Sequence, residues 1–175
     1  MRRTSIVRIL VLCCPIVWMA GCQRSEDPAV LATRQKVLLS AEPEGALSVV
    51  EARQVATSEL QPVVLVGRVG AGVDATWDPG TAAFVVADLS TSPEEVAHEH
   101  AGDHSHCPFC AAKAAKEPER TALVRVVDEA GSVIPVDARR LLAIQEQQTV
   151  VVRGKGHIDD LGNLVVLADG VYPRR

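Results

Sequence analysis

Between His98 and Cys110 the chain reads HEHAGDHSHCPFC, which places four of its five histidines and two of its five cysteines in thirteen residues. Thiolate and imidazole are the ligands that zinc and copper take from proteins. Cys107 and Cys110, with two residues between them, can both turn their sulfurs onto one tetrahedral ion. His104 and His106 are the histidine partners nearest in sequence. His98 and His100 are a second choice, or a second and weaker site. More ligands are present than four positions need, which suits an exchanging site or a copper site as well as a fixed structural zinc.

The order of these residues narrows the chemistry. The histidines precede the cysteines, whereas in a standard zinc finger they follow. Ala111 stands directly after Cys110, where a c-type haem attachment site needs histidine, so haem is not expected. The same Cys107–Cys110 pair also supports a redox reading. CPFC at a helix start resembles the active-site bracket of thioredoxin-like proteins, and a helix N-terminus favours the attacking thiolate at Cys107. That resemblance covers four residues, and the order of elements around them is not the thioredoxin one. A third reading is a plain local disulfide with solvated histidines.

Such a constellation needs something to hold it. It lies within an insert, residues 91–120, far longer than ordinary strand connections, and long connections tend to be functional or disordered. The insert carries two helix-start signals. Ser92-Pro93-Glu94-Glu95 has the form of a capping box with proline at the first helical position. Cys107-Pro108 precedes the helix formers Ala111 to Lys116. A metal would stabilise a segment too small to build its own core.

The N-terminus indicates the compartment. MRRTSIVRILVLCCPIVWMAGC has arginines at 2, 3 and 8, an apolar run from Ile9 to Ala20, and small residues before Cys22. This is the grammar of a secretory signal, with an apolar run short of the roughly 20 residues that span a bilayer. Met19-Ala20-Gly21-Cys22 resembles the lipobox of bacterial lipoproteins, with Met19 where Leu, Val or Ile is usual. The resemblance implies a signal peptide over 1–21 and lipid attachment (diacylglyceryl, palmitate-type chains) at Cys22. More than one acyl chain gives stable anchoring. Gln23 rather than aspartate follows the cysteine, which by the same resemblance favours the outer membrane, facing the periplasm.

Processing changes the balance of the chain. Three arginines and no acids leave with residues 1–22, so the net charge moves from −4 to −7. An acidic, exported chain is poorly suited to nucleic acid, whose binding runs on phosphate neutralisation. Cys13 and Cys14 go with the signal and Cys22 is taken by lipid. Cys107 and Cys110 then remain as one pair in an oxidising compartment.

The remaining sequence supplies the positioning elements. Residues 22–45 read as a lipidated tether with one or two helical turns around Val30–Leu39, and 46–59 as a short amphipathic helix. After Pro62 come strands at 63–72, 81–90 and 121–131, with a turn at Trp77-Asp78-Pro79-Gly80. A helix follows at 136–147, with Asp137 as N-cap and Leu141, Leu142 and Ile144 facing the core. Strands at 149–159 and 163–172 form a hairpin. Phe84 and Val86 are expected in the core. Three strands, a helix and two strands is the order of an OB-fold, so a mainly β, five-stranded antiparallel barrel is expected over 46–175. Its helix lies between strands 3 and 4, and the His/Cys-rich insert between strands 2 and 3.

OB domains that bind single strands use a basic groove with stacking aromatics. After processing only Trp77, Phe84, Phe109 and Tyr172 remain as aromatics. Arg153, Lys155 and His157 alternate along one strand, as either a solvated face or an anion-binding patch. Asp159-Asp160 reads as turn punctuation. The chain has no glycine-rich phosphate loop before a helix and no nucleophile elbow, so nothing supports a hydrolase or transferase. The sequence thus resembles envelope lipoproteins more than any enzyme family. Its leading reading is zinc, or alternatively copper, buffering or delivery. The alternatives are an OB module binding a protein or ligand, in which metal or disulfide is only structural, and a thiol–disulfide exchange protein. Envelope proteins are its candidate partners besides the membrane.

Overall fold

The computed structural model describes residues 26–70, 75–91 and 118–175. Helix α1 (Pro28–Val37) starts where Asp27 Oδ1 accepts the Ala29 amide at 2.9 Å, with Pro28 in the first turn, where its missing N–H costs nothing. Helix α2 (Val49–Val55) opens with a full capping box. Ser48 Oγ accepts the Glu51 amide at 3.2 Å, and the Glu51 carboxylate accepts the Ser48 amide at 2.9 Å.

The strands are β1 (Gln61–Val69), β2 (Trp77–Asp78), β3 (Ala83–Ala87), β4 (Thr121–Val126), β5 (Thr149–Ile158) and β6 (Leu164–Pro173). A 3₁₀ turn, Pro118–Arg120, leads into β4, and helix α3 (Ala138–Leu142) lies between β4 and β5. The five strands expected from sequence are β1, β3, β4, β5 and β6. The two-residue β2 pairs with the start of β3, within what the sequence suggested was only a turn.

β1 pairs with β5, β5 with β6, β6 with β4, β4 with β3, and β3 returns to β1, so the sheet closes on itself. This is the OB-like barrel anticipated above. Four of its seams are antiparallel, and β4–β6 is parallel. The parallel seam follows from the path: the chain crosses from β4 through α3 to β5, and the hairpin then returns β6 alongside β4. Thr149 faces Arg68, Arg68 faces Ala87, and Ala87 faces Thr121; one residue on, Ala122 faces Leu164, which faces Ile158. One circuit therefore climbs roughly ten residues along β5, a stagger that forces a steep strand tilt.

Alternation along the strands fills the barrel. Phe84, Val86, Val124, Val150, Val152 and Val166 are fully buried, and Leu141, Leu142 and Ile144 of the α3 region join the same core. Each such side chain contributes about 1.5–3 kcal/mol by leaving water. The expected core residues are all there. The helix is shorter than the 136–147 anticipated, because Ala143 takes a left-handed conformation (φ 54°) as C-cap and lets Ile144 turn inward.

Two glycines permit closure. A Cβ on Gly67 would stand 2.9 Å from the Ala87 carbonyl oxygen, where β1 passes from β5 to β3. A Cβ on Gly154 would collide with the Leu167 carbonyl, beside the register shift between Arg153 and Gly154.

The segment expected as a tether takes part in the body of the protein. Its helix appears where anticipated, and Val30 and Val37 are buried in the core. Beyond α1, the Leu39 amide donates to the Val171 carbonyl at 2.9 Å, on the β6 edge past the end of β4. Leu47 bonds both Val64 and Val66, on the β1 edge not reached by β3. Each short seam is thus lengthened by the N-terminal segment, which covers exposed strand edges. The packed body reaches back to about Pro28 rather than beginning at residue 46.

Candidate functional site: the base of the His/Cys-rich insert

Cys107, Cys110, His98, His100, His104, His106 and the lipid-site candidate Cys22 all lie outside the described residues. What the structure describes is the base on which the insert stands. β3 and β4 are in register to their ends, Ala87 against Thr121, and the Asp88 amide then donates to the Arg120 carbonyl at 2.8 Å. The chain therefore leaves and re-enters the barrel at one point.

Asp88 organises that point. It is the one buried charged residue among those described, 4% exposed. Its Oδ1 accepts the Ser90 amide at 2.9 Å and the Ser90 hydroxyl at 2.6 Å; its Oδ2 accepts the Val50 amide at 3.1 Å, in the first turn of α2. Burial by itself would raise the carboxyl pKa. The Ser90 bonds, the Val50 amide and the charge of Arg120 outweigh it and hold the group below the usual carboxylate value. The Thr91 amide bonds the Asp88 carbonyl at 3.0 Å, and Arg68 Nη1 bonds the Thr91 carbonyl at 2.9 Å. β1, β3, β4 and α2 thus all grip the two stems.

This clasp holds the two ends of the insert together. Closing a loop of this length costs entropy that grows only slowly with length. Backbone pairing and the buried Asp88 carboxylate offset that cost at the two stems.

The other residues singled out from sequence fall into place. Arg153 is engaged by Asp169, Nε to Oδ1 2.7 Å, and that pair and Lys155 are exposed on the outer face of β5. This is the solvated-face arrangement. His157 is half-buried on the same strand. Asp159 caps the β5–β6 turn, its Oδ1 accepting the Leu161 amide at 3.0 Å and the Asn163 amide at 2.7 Å. Among the described residues no group of three or more His, Cys, Asp or Glu side chains is placed to hold a metal. No helix among them is long and apolar enough to cross a membrane.

Sequence reasoning missed Asp88, Ser90 and Arg120. A signal was available: Asp88 ends the apolar run Ala82–Ala87, and an acid there must find donors or stay in water. No family model matches the chain, and no curated protein or solved structure gives a significant match to it.

Proposed function

We propose that this chain is a lipid-anchored envelope protein whose barrel carries a His/Cys-rich metal-binding loop, with zinc, or alternatively copper, as the ion. Cys107 and Cys110 are the anchoring ligands, His104 and His106 complete the first set, and His98 and His100 form a second choice. The reading is carried by one observation: six potential ligands within thirteen residues, on an insert whose ends are clasped by the barrel. The donor chemistry fits the ion, since two thiolates and two imidazoles are a sufficient tetrahedral set. A surplus of imidazoles favours exchange over permanent burial, which is the behaviour of a buffer or carrier.

The test is metal content. A soluble form with Cys22→Ser, purified reduced and without a tag, is incubated with zinc or copper, desalted and analysed by mass spectrometry. About one ion per chain is expected, as for a single four-ligand site, and it should disappear with Cys107→Ser/Cys110→Ser. Absence of bound metal overturns the reading. A Cys107–Cys110 disulfide that catalyses thiol exchange would then become the function of the same motif, because these are the two cysteines left after processing.

A further inference from the structure

The barrel has two chemically different ends, and α1 is tied to one of them. Arg34 of α1 donates from Nε to the Leu141 carbonyl at 2.8 Å and from Nη2 to the Arg140 carbonyl at 2.6 Å, so it holds the last turn of α3. The same guanidinium grips Glu26 with two bonds of 2.7 Å. Leu39 bonds Val171, whose register partner Val152 lies near the start of β5. The first described residue, Glu26, is therefore fixed at the α3 end.

The stems of the insert, Asp88 and Arg120, lie at the other end. Ile158, the last residue of β5, donates to the Thr57 carbonyl just past α2, and Arg53 of α2 reaches the Gly162 carbonyl in the β5–β6 turn. The first turn of α2 binds Asp88 in the insert base. The large apolar side chains most exposed among the described residues cluster here as well: Leu161 is 87% exposed, Val55 61% and Leu60 51%.

We propose that the α3 end is the membrane-apposed face, lying against the phospholipid headgroups, and that the opposite end, with the Asp88–Arg120 stems and the Leu161 tip, faces the aqueous compartment. This rests on lipid attachment at Cys22. Cys22 is four positions before Glu26, and four residues reach at most about 14 Å. Ten residues of β5 extend roughly 30 Å along the strand, and even steeply tilted they separate the ends by more than that tether spans. At this end Arg139 and Arg174 are paired with Asp137 and Glu42, and Arg140 of α3 and Arg175 supply exposed guanidiniums. In a protein of net charge −7 after processing, they spare the anionic headgroups the acidic remainder of the surface. The anchor so placed keeps the exposed Leu60 and Leu161 off the bilayer.

The test uses the full, acylated chain reconstituted into vesicles of phosphatidylethanolamine and phosphatidylglycerol doped with a headgroup-labelled quencher lipid. A fluorescent amino acid is placed by codon suppression at Arg140 or at Leu161, and flotation of the same samples reports attachment. Several-fold stronger quenching at 140 than at 161 is expected. Equal or reversed quenching in floating protein overturns the orientation and leaves the anchoring intact. Protein that does not float, and behaves like Cys22→Ser, overturns the anchoring and the orientation with it.

Discussion

The Asp88 amide donates to the Arg120 carbonyl at 2.8 Å, although the two residues are 32 positions apart in sequence. The barrel is closed at these two stems by the Ala87–Thr121 register and by the Asp88 carboxylate on α2. Replacing residues 92–117 by about four Gly/Ser residues should therefore leave the barrel folded. Loop shortening of that order returns about 1–2 kcal/mol of closure entropy. Urea denaturation should show equal or slightly higher stability with an unchanged cooperative transition, and metal binding should vanish. A variant that fails to fold would mean the insert is part of the core.

Asp88 itself is predicted to be expensive to replace. Asp88→Ala removes the buried acceptor of the part-buried Val50 and Ser90 amides, and unmet donors cost about 1–3 kcal/mol. A loss of about 2–3 kcal/mol is expected from chemical denaturation. The pH dependence has a definite sign. The folded pKa is lowered, so the contribution is complete above the unfolded value near 3.9 and is lost as pH falls through the folded value. Asp88→Asn should flatten that acid limb of the stability curve. An unchanged limb would assign acid sensitivity to other carboxylates.

Arg34 joins α1 to α3 through three acceptors, Glu26, Arg140 and Leu141. Arg34→Ala should lower stability by about 1–3 kcal/mol, as for charge-assisted bonds that are partly buried. Arg34→Lys should recover little, because one ammonium cannot serve a carboxylate and two carbonyls in a fork. Hydrogen exchange should show amides of 28–37 losing protection first, with β5 and β6 unaffected. Uniform loss across the barrel would mean that α1 is part of the global unfolding unit.

The barrel was legible in the sequence because its strands are β-branched runs with turn residues between them. The hairpin is the plainest case: Val150–Val152 and Val165–Val166 flank Asp159 to Asn163, and the structure uses Asp159 to tie that turn. Asp137 likewise caps α3 as its position suggested. What could not be read were contacts that local pattern does not encode. Leu38 and Leu47 look like any leucines in a polar stretch, yet they pair with strands more than a hundred and nearly twenty positions away. Asp88 reads as one more residue of the expected strand 81–90 until α2 is docked over it. The parallel β4–β6 seam depends on the path through α3, which spacing alone leaves open. The His/Cys-rich run shows the opposite imbalance: its donor chemistry is explicit in the sequence, and what the structure adds is the pair of stems at Asp88 and Arg120 from which the insert departs.

The glycines of β5 give a prediction that separates shape from chemistry. At Gly154 an added methyl would strike the Leu167 carbonyl and the Ala168 backbone, neither of which is a flexible side chain. At Gly156, two residues on and also buried, the nearest atom to such a methyl is Val63 Cγ1 at 3.1 Å, which a small rotation can relieve. Gly154→Ala should cost about 3 kcal/mol or more, because overpacking against fixed backbone forces the bulge to open. Gly156→Ala should cost about 1 kcal/mol or less, since the added strand propensity offsets a slight clash. Thermal unfolding of the two variants side by side is the check. If both are equally mild, the register shift at Arg153/Gly154 is not the tight point of closure. If both are severe, the whole β5–β6 hairpin is too closely packed to admit any methyl group.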